Sequence, residues 1–146
     1  VALSLLYTNI TTSQRKTYIT PDGKIVHNSK GNKDVDILLR RDRDNKYYYR
    51  ECKCNLLLDS EKSKTTADKV LEIKRRLELA YPDCEIDAAI LCMDWSGTKE
   101  KYCGVPLEYV GDFINRLEVE EAITEEQYLA IGRELGKEIL NNETNY

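Results

Sequence analysis

Residues 35–54 read VDILLRRDRDNKYYYRECKC, in which two runs of strand-forming residues flank a charged segment. Val35 to Leu39 is the first run and Lys46 to Cys54 is the second, and both are rich in the aliphatic or aromatic residues that favour strands. The charged residues from Arg41 to Asn45 predict a turn between the two runs. This stretch therefore predicts two antiparallel strands joined as a hairpin.

Further strands and helices are predicted on both sides of this hairpin. The predicted elements are a hairpin of residues 17–20 and 25–27 around the turn Pro21-Asp22-Gly23-Lys24, a helix from Thr65 or Thr66 to Ala80, a strand from Ile86 to Met93, a helix from Pro106 to about Leu117, and a helix that begins after Thr124. This order of strands, helix, strand and helices predicts a mixed α/β fold in which a helix covers the sheet. A length of 146 residues suits one domain, so residues 1–146 are expected to form a single domain.

The composition argues against several classes of protein. Hydrophobic residues make up 41% of the chain and charged residues 33%, which is not the composition of a disordered chain. No run approaches the roughly 18 apolar residues that a membrane span needs, so no membrane partner is expected. The segment from Val1 to Leu6 lacks the basic leader of a signal peptide, and five cysteines are an odd number that does not suggest a disulfide framework. These features predict a cytoplasmic protein.

Chemistry based on cysteine and histidine has little support in the spacing of these residues. The chain has no CxxC pair and only one histidine, His27, so a structural zinc site is not expected. A nucleophilic pair of His27 and Cys103 stays open as an alternative, although nothing in the sequence orients the two side chains.

The second strand of the hairpin carries an acid and an amine on the same side. Because side chains alternate along a strand, Glu51 and Lys53 share one face and Cys52 lies on the other. If the strands pair around the turn near Asp44, Asp36 lies opposite Cys52, give or take one residue. A shift of one residue, a bulge or splayed strands would bring Asp36 to Glu51 and Lys53. The hairpin then carries two carboxylates and one amine on one face.

These residue types fit a Mg²⁺ site that acts on phosphate. Mg²⁺ is typically held by one or two carboxylates, here Asp36 and Glu51, and the carbonyl of Cys52 is a candidate third ligand. A metal in this place polarises a scissile phosphate and lowers the pKa of a bound water. Lys53 can orient that water, act on its proton or offset charge that develops on the phosphate. The expected catalytic residues are Asp36, Glu51 and Lys53.

The same residues resemble a known family. Residues 35–39 (VDILL) and 49–55 (YRECKCN) are similar to the motif of the PD-(D/E)XK nuclease superfamily, to which type II restriction endonucleases and several repair nucleases belong. By this resemblance Asp36 takes the place of the motif's aspartate, Glu51 that of its second acid, and Lys53 that of its lysine.

The resemblance covers about residues 34 to 95 and has consequences for fold and activity. It implies a restriction-endonuclease-like mixed β-sheet flanked by helices, dependence on Mg²⁺, and hydrolysis of DNA phosphodiester bonds. Residues 56–62 (LLLDSEK) are in addition similar to the cleavage subunits of type IIS restriction enzymes. The resemblance therefore predicts an endonuclease, in particular a cleavage domain or subunit of a restriction enzyme.

The chain departs from the family's pattern in two respects. Val35, not proline, precedes Asp36. The literal pair Pro21-Asp22 is a rival placement of the motif, but residues 21–23 are a turn signal rather than a strand edge, which favours Asp36. The family often has a further acid on a helix before the motif, and this ligand is either absent here or lies before Val1.

DNA is the partner that the resemblance implies. Lys62 and Lys64 follow the motif strand and are the preferred candidates for phosphate contacts. A net charge of −4 is unfavourable for a protein that holds DNA alone, so a second subunit or a homodimer partner is expected. The basic residues do cluster locally, at Arg40, Arg41, Arg43 and Lys46 and again at Lys62, Lys64, Lys69, Lys74, Arg75 and Arg76.

Two features near the motif have two interpretations each. Asp34 shares a face with Asp36, and it either assists a second metal or is a solvated acid. Tyr47, Tyr48 and Tyr49 either stack on bases or pack in the core, and packing is favoured for three consecutive tyrosines on a strand.

Two alternative functions stay open. A repair or junction-resolving nuclease would use the same chemistry on a different substrate. A non-catalytic protein-interaction module would keep the fold and bind a partner through one helix stripe, which consists of Tyr128, Ile131, Leu135 and Ile139. The trio of Asp36, Glu51 and Lys53 favours the enzyme, because an interaction module does not need it.

Overall fold

The computed structural model describes residues 7–11, 15–54, 56, 60–118 and 123–144. The strands in these ranges are β1 (Thr8–Asn9), β2 (Thr17–Ile19), β3 (Ile25–Val26), β4 (Lys33–Val35), β5 (Ile37–Arg41), β6 (Lys46–Lys53), β7 (Glu85–Cys92), β8 (Lys101–Tyr102) and β9 (Val105–Tyr109). The helices are α1 (Ser60–Ala80), α2 (Val110–Arg116) and α3 (Glu125–Thr144). Among the described residues, none of these helices is long and apolar enough to cross a membrane.

The strands form a large mixed sheet and a small antiparallel one. The large sheet has the order β1-β5-β6-β7-β9-β8, and the small sheet has the order β3-β2-β4. Strand β7 runs parallel to both β6 and β9, and the other neighbouring strands are antiparallel. Helix α1 connects β6 to the parallel strand β7, as parallel neighbours require a crossover. The predicted mixed α/β fold is confirmed.

The central hairpin is formed by β5 and β6. Ile37 faces Arg50 and Leu38 faces Tyr49, which is one residue away from the alignment predicted around Asp44. Continued by one step, this register puts Asp36 opposite Glu51. A 3₁₀ turn over Asp42–Asp44 joins the strands and ends on Asn45, whose φ of 51° is left-handed. The one-residue shift needed to bring the acids together is therefore the alignment that the strands adopt.

The continuous strand predicted from Val35 to Leu39 is wrong at Asp36. Val35 ends β4 and pairs with Thr17 of the small sheet, whereas Ile37 begins β5 in the large sheet. Asp36 lies at the bend between the two sheets. Its carboxylate accepts a hydrogen bond from the Cys52 backbone N–H at 2.8 Å, which holds the bend against β6.

Helix α1 begins earlier than the predicted start at Thr65 or Thr66. The Thr66 hydroxyl donates to the Lys62 carbonyl, one turn back, so Thr66 belongs to the helix interior. Tertiary packing explains the extension: Ser63 is buried, and its hydroxyl is 2.6 Å from the hydroxyl of Tyr102 on β8. Local capping preferences did not reveal this long-range contact.

The helix predicted to start at Pro106 is also wrong, because Pro106 lies in β9. Cys103 and Gly104 form a tight turn with φ of 50° and 80°, the left-handed pair of a two-residue hairpin between β8 and β9. The segment paired with β7 begins at Leu107, so the missing N–H of Pro106 does not interrupt that ladder. The helix itself starts at Val110.

The last helix begins as predicted. The Thr124 hydroxyl accepts from the Gln127 N–H at 3.2 Å, and the Gln127 side chain accepts from the Thr124 N–H at 2.9 Å. This reciprocal pair is a capping box, which satisfies two backbone donors at the start of α3.

Each face of the large sheet is covered by helix. Helix α1 packs on one face, through a cluster that includes Leu38, Tyr49, Val70, Ile73, Leu77 and Ile90. Helix α2 packs on the opposite face, through a cluster that includes Leu39, Tyr48, Leu91, Phe113 and Leu117. The three tyrosines of β6 are buried on alternating faces, which agrees with the packing interpretation. The same alternation points Glu51 and Lys53 toward the α1 face.

Candidate functional site

Glu51 and Lys53 lie at the carboxyl end of β6, on the face covered by α1. Glu51 is 6% exposed and Lys53 is half-buried. The carboxylate of Glu51 is thus largely withdrawn from water, whereas Lys53 as a whole is only partly withdrawn. Among the described residues, the side chain of Lys53 has no hydrogen bond or ion pair, so its amine is available to a ligand.

Asp36 joins these two residues through the antiparallel pairing of β5 and β6. The start of β5 lies beside the end of β6, and the hydrogen bond from the Cys52 N–H fixes the Asp36 carboxylate within this strand end. Asp36 is exposed. Its charge is close enough to Glu51 to contribute to the raised pKa of that residue. The structure therefore brings Asp36, Glu51 and Lys53 to one end of one strand pair.

The Glu51 carboxylate is held by two donors. The Tyr49 hydroxyl donates to Oε2 at 2.8 Å, and the Lys69 ammonium donates to Oε1 at 3.0 Å. Burial raises the pKa of Glu51, and the charge of Asp36 raises it further, while the two donors act in the opposite direction. The orientation of this carboxylate is therefore set before any ligand binds.

Lys69 of α1 also reaches a third acid. Its ammonium donates to Oδ1 of Asp34 at 2.9 Å. Burial disfavours the charged form of Lys69, but the hydrogen bonds and charges of Asp34 and Glu51 outweigh it and raise the pKa of the lysine. Burial likewise acts against the charged form of Asp34, and Lys69 nevertheless holds its pKa below the usual value. Asp34 is thus half-exposed and paired rather than simply solvated.

Lys69 is the residue of this site that the sequence reasoning missed, since it was counted only within a basic cluster. One signal was available. Lys69 lies four residues before the buried Ile73 and next to the buried Val70, so helical spacing puts it at the edge of the stripe that faces the sheet. A charged residue at the edge of a buried stripe indicates a partner, but not which one.

A Mg²⁺ ion held by these residues would occupy an open site rather than a closed cage. Among the described residues, no group of three or more His, Cys, Asp or Glu side chains is arranged to hold a metal. Asp36 and Glu51 would supply two carboxylates, and two are enough for an ion that keeps most of its waters. Each carboxylate oxygen has two lone pairs, so both oxygens of Glu51 retain acceptor capacity beside their present partners.

Cys52 offers the site its carbonyl rather than its thiol. Burial raises the pKa of the Cys52 thiol to about 12, and the charges of Asp36 and Glu51 contribute. Metals bind the thiolate, which is scarce at such a pKa. The backbone N–H of Cys52 is already used by Asp36, which leaves the carbonyl oxygen as the ligand candidate of this residue.

The two lysines expected to contact DNA lie on the first turns of α1, and both are exposed. Lys62 precedes Lys69 by seven residues, which is two helical turns and therefore the same side of the helix. Lys64 points to a different side. Residues 57–59, in the stretch similar to type IIS cleavage subunits, lie outside the described residues.

The other basic cluster, at the turn of the central hairpin, is largely neutralised by neighbouring acids. Its ion pairs are Arg40–Asp42, Arg41–Asp44, Arg43–Glu118, and Lys46 with Glu85 and Asp87. Arginines already paired with carboxylates offer less to a phosphate backbone. The positive charge of this cluster is therefore smaller than its count of basic residues suggests.

Two alternative sites from the sequence analysis, Asp22 and the pair of His27 and Cys103, have less support in the structure. Asp22 is exposed in the turn between β2 and β3, where the Thr20 hydroxyl donates to it, as the turn prediction requires. Exposed His27 lies just after β3, with Nδ1 3.2 Å from the Lys16 carbonyl, while exposed Cys103 is in the β8–β9 turn of the other sheet. No contact joins His27 and Cys103 among the described residues.

In comparisons with known proteins, no family model matches the chain, and no curated protein or solved structure matches it significantly.

Proposed function

We propose that this chain is a Mg²⁺-dependent endonuclease domain that hydrolyses DNA phosphodiester bonds, as a cleavage domain or subunit of a restriction enzyme. The observation that carries the proposal is the hydrogen bond from the Cys52 N–H to Asp36. It anchors one carboxylate beside a strand segment that bears a second carboxylate and an unpaired amine, Glu51 and Lys53. The resemblance to the PD-(D/E)XK motif supports the same interpretation of these three residues.

Each residue has a distinct role in this proposal. Asp36 and Glu51 would hold the cation, and a divalent cation bound there would polarise the phosphate and activate a water. Lys53 would stabilise the negative charge that grows on the phosphate, or orient the attacking water, at the edge of a buried face where electrostatic interactions are stronger than in bulk water. Tyr49 holds the Glu51 carboxylate in one orientation.

The restriction-endonuclease-like fold belongs to this proposal as well. A mixed sheet with helix on both faces is the arrangement that the family resemblance implies. Residues 1–146 would act as a single nuclease domain in the cytoplasm. Because the net charge is −4, a second subunit or homodimer partner would supply part of the affinity for DNA.

One observation favours a protein-interaction surface on the same chain. Leu129 and Ile131 of α3 are 46% and 58% exposed, so this helix presents large aliphatic side chains to solvent within the described residues. Tyr128 is half-buried, and its hydroxyl donates to the Met93 carbonyl. The side chains of Leu135 and Ile139, predicted for the same stripe, lie outside the described residues.

Cleavage of a supercoiled plasmid in the presence of Mg²⁺ tests the proposed function. The wild-type chain should nick or linearise the plasmid, and Asp36→Asn and Lys53→Ala should each lower the rate by about a hundredfold or more, as expected for loss of one electrostatic stabiliser. Lys101→Ala is the matched control, since Lys101 is exposed on β8 at the far edge of the sheet. Chelation with EDTA should abolish cleavage by the wild-type chain.

Two results would count against the nuclease. Cleavage that continues at the wild-type rate in Asp36→Asn and Lys53→Ala would show that the activity arises elsewhere. Absence of cleavage together with Mn²⁺ binding that is the same in wild type, Asp36→Asn and Glu51→Gln would leave the interaction module as the better account.

A further inference from the structure

The ammonium of Lys69 lies between two carboxylates, a position at which a metal cation would otherwise be expected. Its Nζ is 2.9 Å from Asp34 Oδ1 and 3.0 Å from Glu51 Oε1. These carboxylates come from β4 and β6, which belong to different sheets. The lysine side chain is 22% exposed and that of Glu51 is 8% exposed. A single ammonium from α1 therefore bridges two acids at a partly desolvated position.

The contact with Lys69 uses Oε1 of Glu51, a carboxylate that the proposed function assigns as a metal ligand. A cation that coordinated the same oxygen would stand close to the ammonium and be repelled by it. The other approach to Glu51 lies on the side of Asp36, whose carboxylate is fixed by the Cys52 N–H. The arrangement places a fixed positive charge between Glu51 and Asp34, whereas Asp36 has no contact with Lys69 among the described residues.

We propose that Lys69 is a positioning residue that takes the place of a second divalent cation between Asp34 and Glu51, so that the site binds one cation, at Asp36 and Glu51. This inference rests on the proposed function, because it requires Asp36 and Glu51 to be cation ligands. Lys69 also fixes the orientation of Glu51 together with Tyr49, in the way that hydrogen-bonded partners orient metal-ligating carboxylates.

Removal of the ammonium should expose a second cation position. Without Lys69, Asp34 and Glu51 lose the positive charge that they share, and within the described residues Glu51 keeps only the Tyr49 hydroxyl as a donor. The repulsion between an ammonium and a divalent cation about 5 Å apart corresponds to roughly a tenfold loss of affinity even at the dielectric constant of water. Cation binding should therefore become tighter by at least about tenfold when this charge is removed.

Calorimetric titration of the full chain with Mn²⁺, without DNA, tests this inference. Wild type should bind one Mn²⁺, whereas Lys69→Met should bind a second and show the tenfold gain. Lys69→Arg should behave as wild type, because it retains the charge. Lys74→Met, a neutralised lysine of the same helix, is the control and should also behave as wild type. Adding Asp34→Asn to Lys69→Met should remove the second site.

The outcomes separate this inference from the proposed function. A folded Lys69→Met with the stoichiometry and affinity of wild type would overturn the role of Lys69, while Mn²⁺ binding that depends on Asp36 would leave the nuclease proposal intact. Wild-type binding that does not change in Asp36→Asn would contradict the proposed function instead. If Lys69→Met does not fold, Lys69→Gln carries the test, because its amide keeps a donor for the two acids, and unchanged binding in it overturns the inference.

Discussion

Arg50 is a buried charged residue whose contacts connect several elements of the large sheet. Its side chain is 1% exposed and lies on the α2 face of the sheet, opposite to Lys69. The guanidinium is 2.9 Å from both Asp87 and Glu108, and it stacks over the Phe113 ring at 4.7 Å. Arg116 contacts the same two acids from α2. This network ties β6, β7, β9 and α2 together.

Replacement of Arg50 should be among the most destabilising substitutions in the chain. Arg50→Ala leaves Glu108 buried with only part of its compensation, and the loss of one partner of a buried ion pair costs about 3–5 kcal/mol. Urea unfolding measures the change. Arg43→Ala is the control, because Arg43 and Glu118 are an exposed pair at 3.7 Å whose loss costs about 0–1 kcal/mol. Equal losses in the two variants would contradict the assigned role of Arg50.

The sequence predicted residue-scale features only where they depend on near neighbours. Alternation along β6 placed Glu51 and Lys53 on one face, and the pairing of the hairpin placed Asp36 within one residue of its observed register. The partners of Arg50 lie 37 and 58 residues away along the chain, and those of Lys69 lie 18 and 35 residues away. No local sequence pattern identifies such distant partners, so neither network could be predicted from the sequence.

At the scale of elements, α1 positions the site and also joins the two sheets. Its Lys69 reaches Asp34 and Glu51, and two turns later Arg76 donates to the Ile19 carbonyl of β2 at 3.0 Å. Glu72 accepts from both Arg75 and Arg76, which orients Arg76 toward the small sheet. The helical period of its apolar residues was readable from the sequence, but its true start depends on Ser63 and Tyr102.

The arginine pair of Glu72 should make the stability of α1 depend on pH. Hydrogen bonds from Arg75 and Arg76 lower the pKa of Glu72 to about 2. A lowered carboxylate pKa contributes stability above the unfolded value of roughly 4.3, and that contribution is lost as the pH falls toward the folded value. The Tm difference between wild type and Glu72→Gln should therefore shrink from pH 6 to about pH 2.

Thermal unfolding monitored by circular dichroism across this pH range checks the prediction. Glu78→Gln is the matched control, since Glu78 is exposed on the same helix and has no ion pair within the described residues. A Tm difference for Glu72→Gln that stays constant down to pH 2 would show that the arginines do not stabilise the charged form.

At the scale of the whole molecule, the site depends on how the small sheet is held against α1. Asp34 comes from the small sheet and Glu51 from the large one, so the bridge through Lys69 requires both sheets to dock on the helix. The small sheet approaches α1 closely at Gly23, where a Cβ would lie 2.1 Å from the Arg76 carbonyl oxygen and 2.6 Å from the Ala80 Cβ. The turn sequence predicted this hairpin, but not the surface against which it packs.

Gly23→Ala should therefore disturb the docking of the small sheet. Gly31→Ala is a close control, because Gly23 and Gly31 both have left-handed φ, of 87° and 72°, but a Cβ at Gly31 meets nothing within 4 Å. Both variants bear the strain of alanine in this region, about 1–2 kcal/mol, and Gly23→Ala should lose about 1–3 kcal/mol more through the clash. Chemical unfolding gives the comparison, and equal losses would mean that the two sheets are not held together at this point.

The proposed nuclease activity depends on one divalent cation held between Asp36 and Glu51. The most direct measurement is anomalous X-ray scattering from crystals of the chain grown with Mn²⁺. We predict one anomalous peak at about 2.0–2.4 Å from a carboxylate oxygen of each of these residues, the range of oxygen-ligand distances for such cations. An anomalous peak at other residues, with Asp36 and Glu51 free of metal at saturating Mn²⁺, would contradict the proposed site.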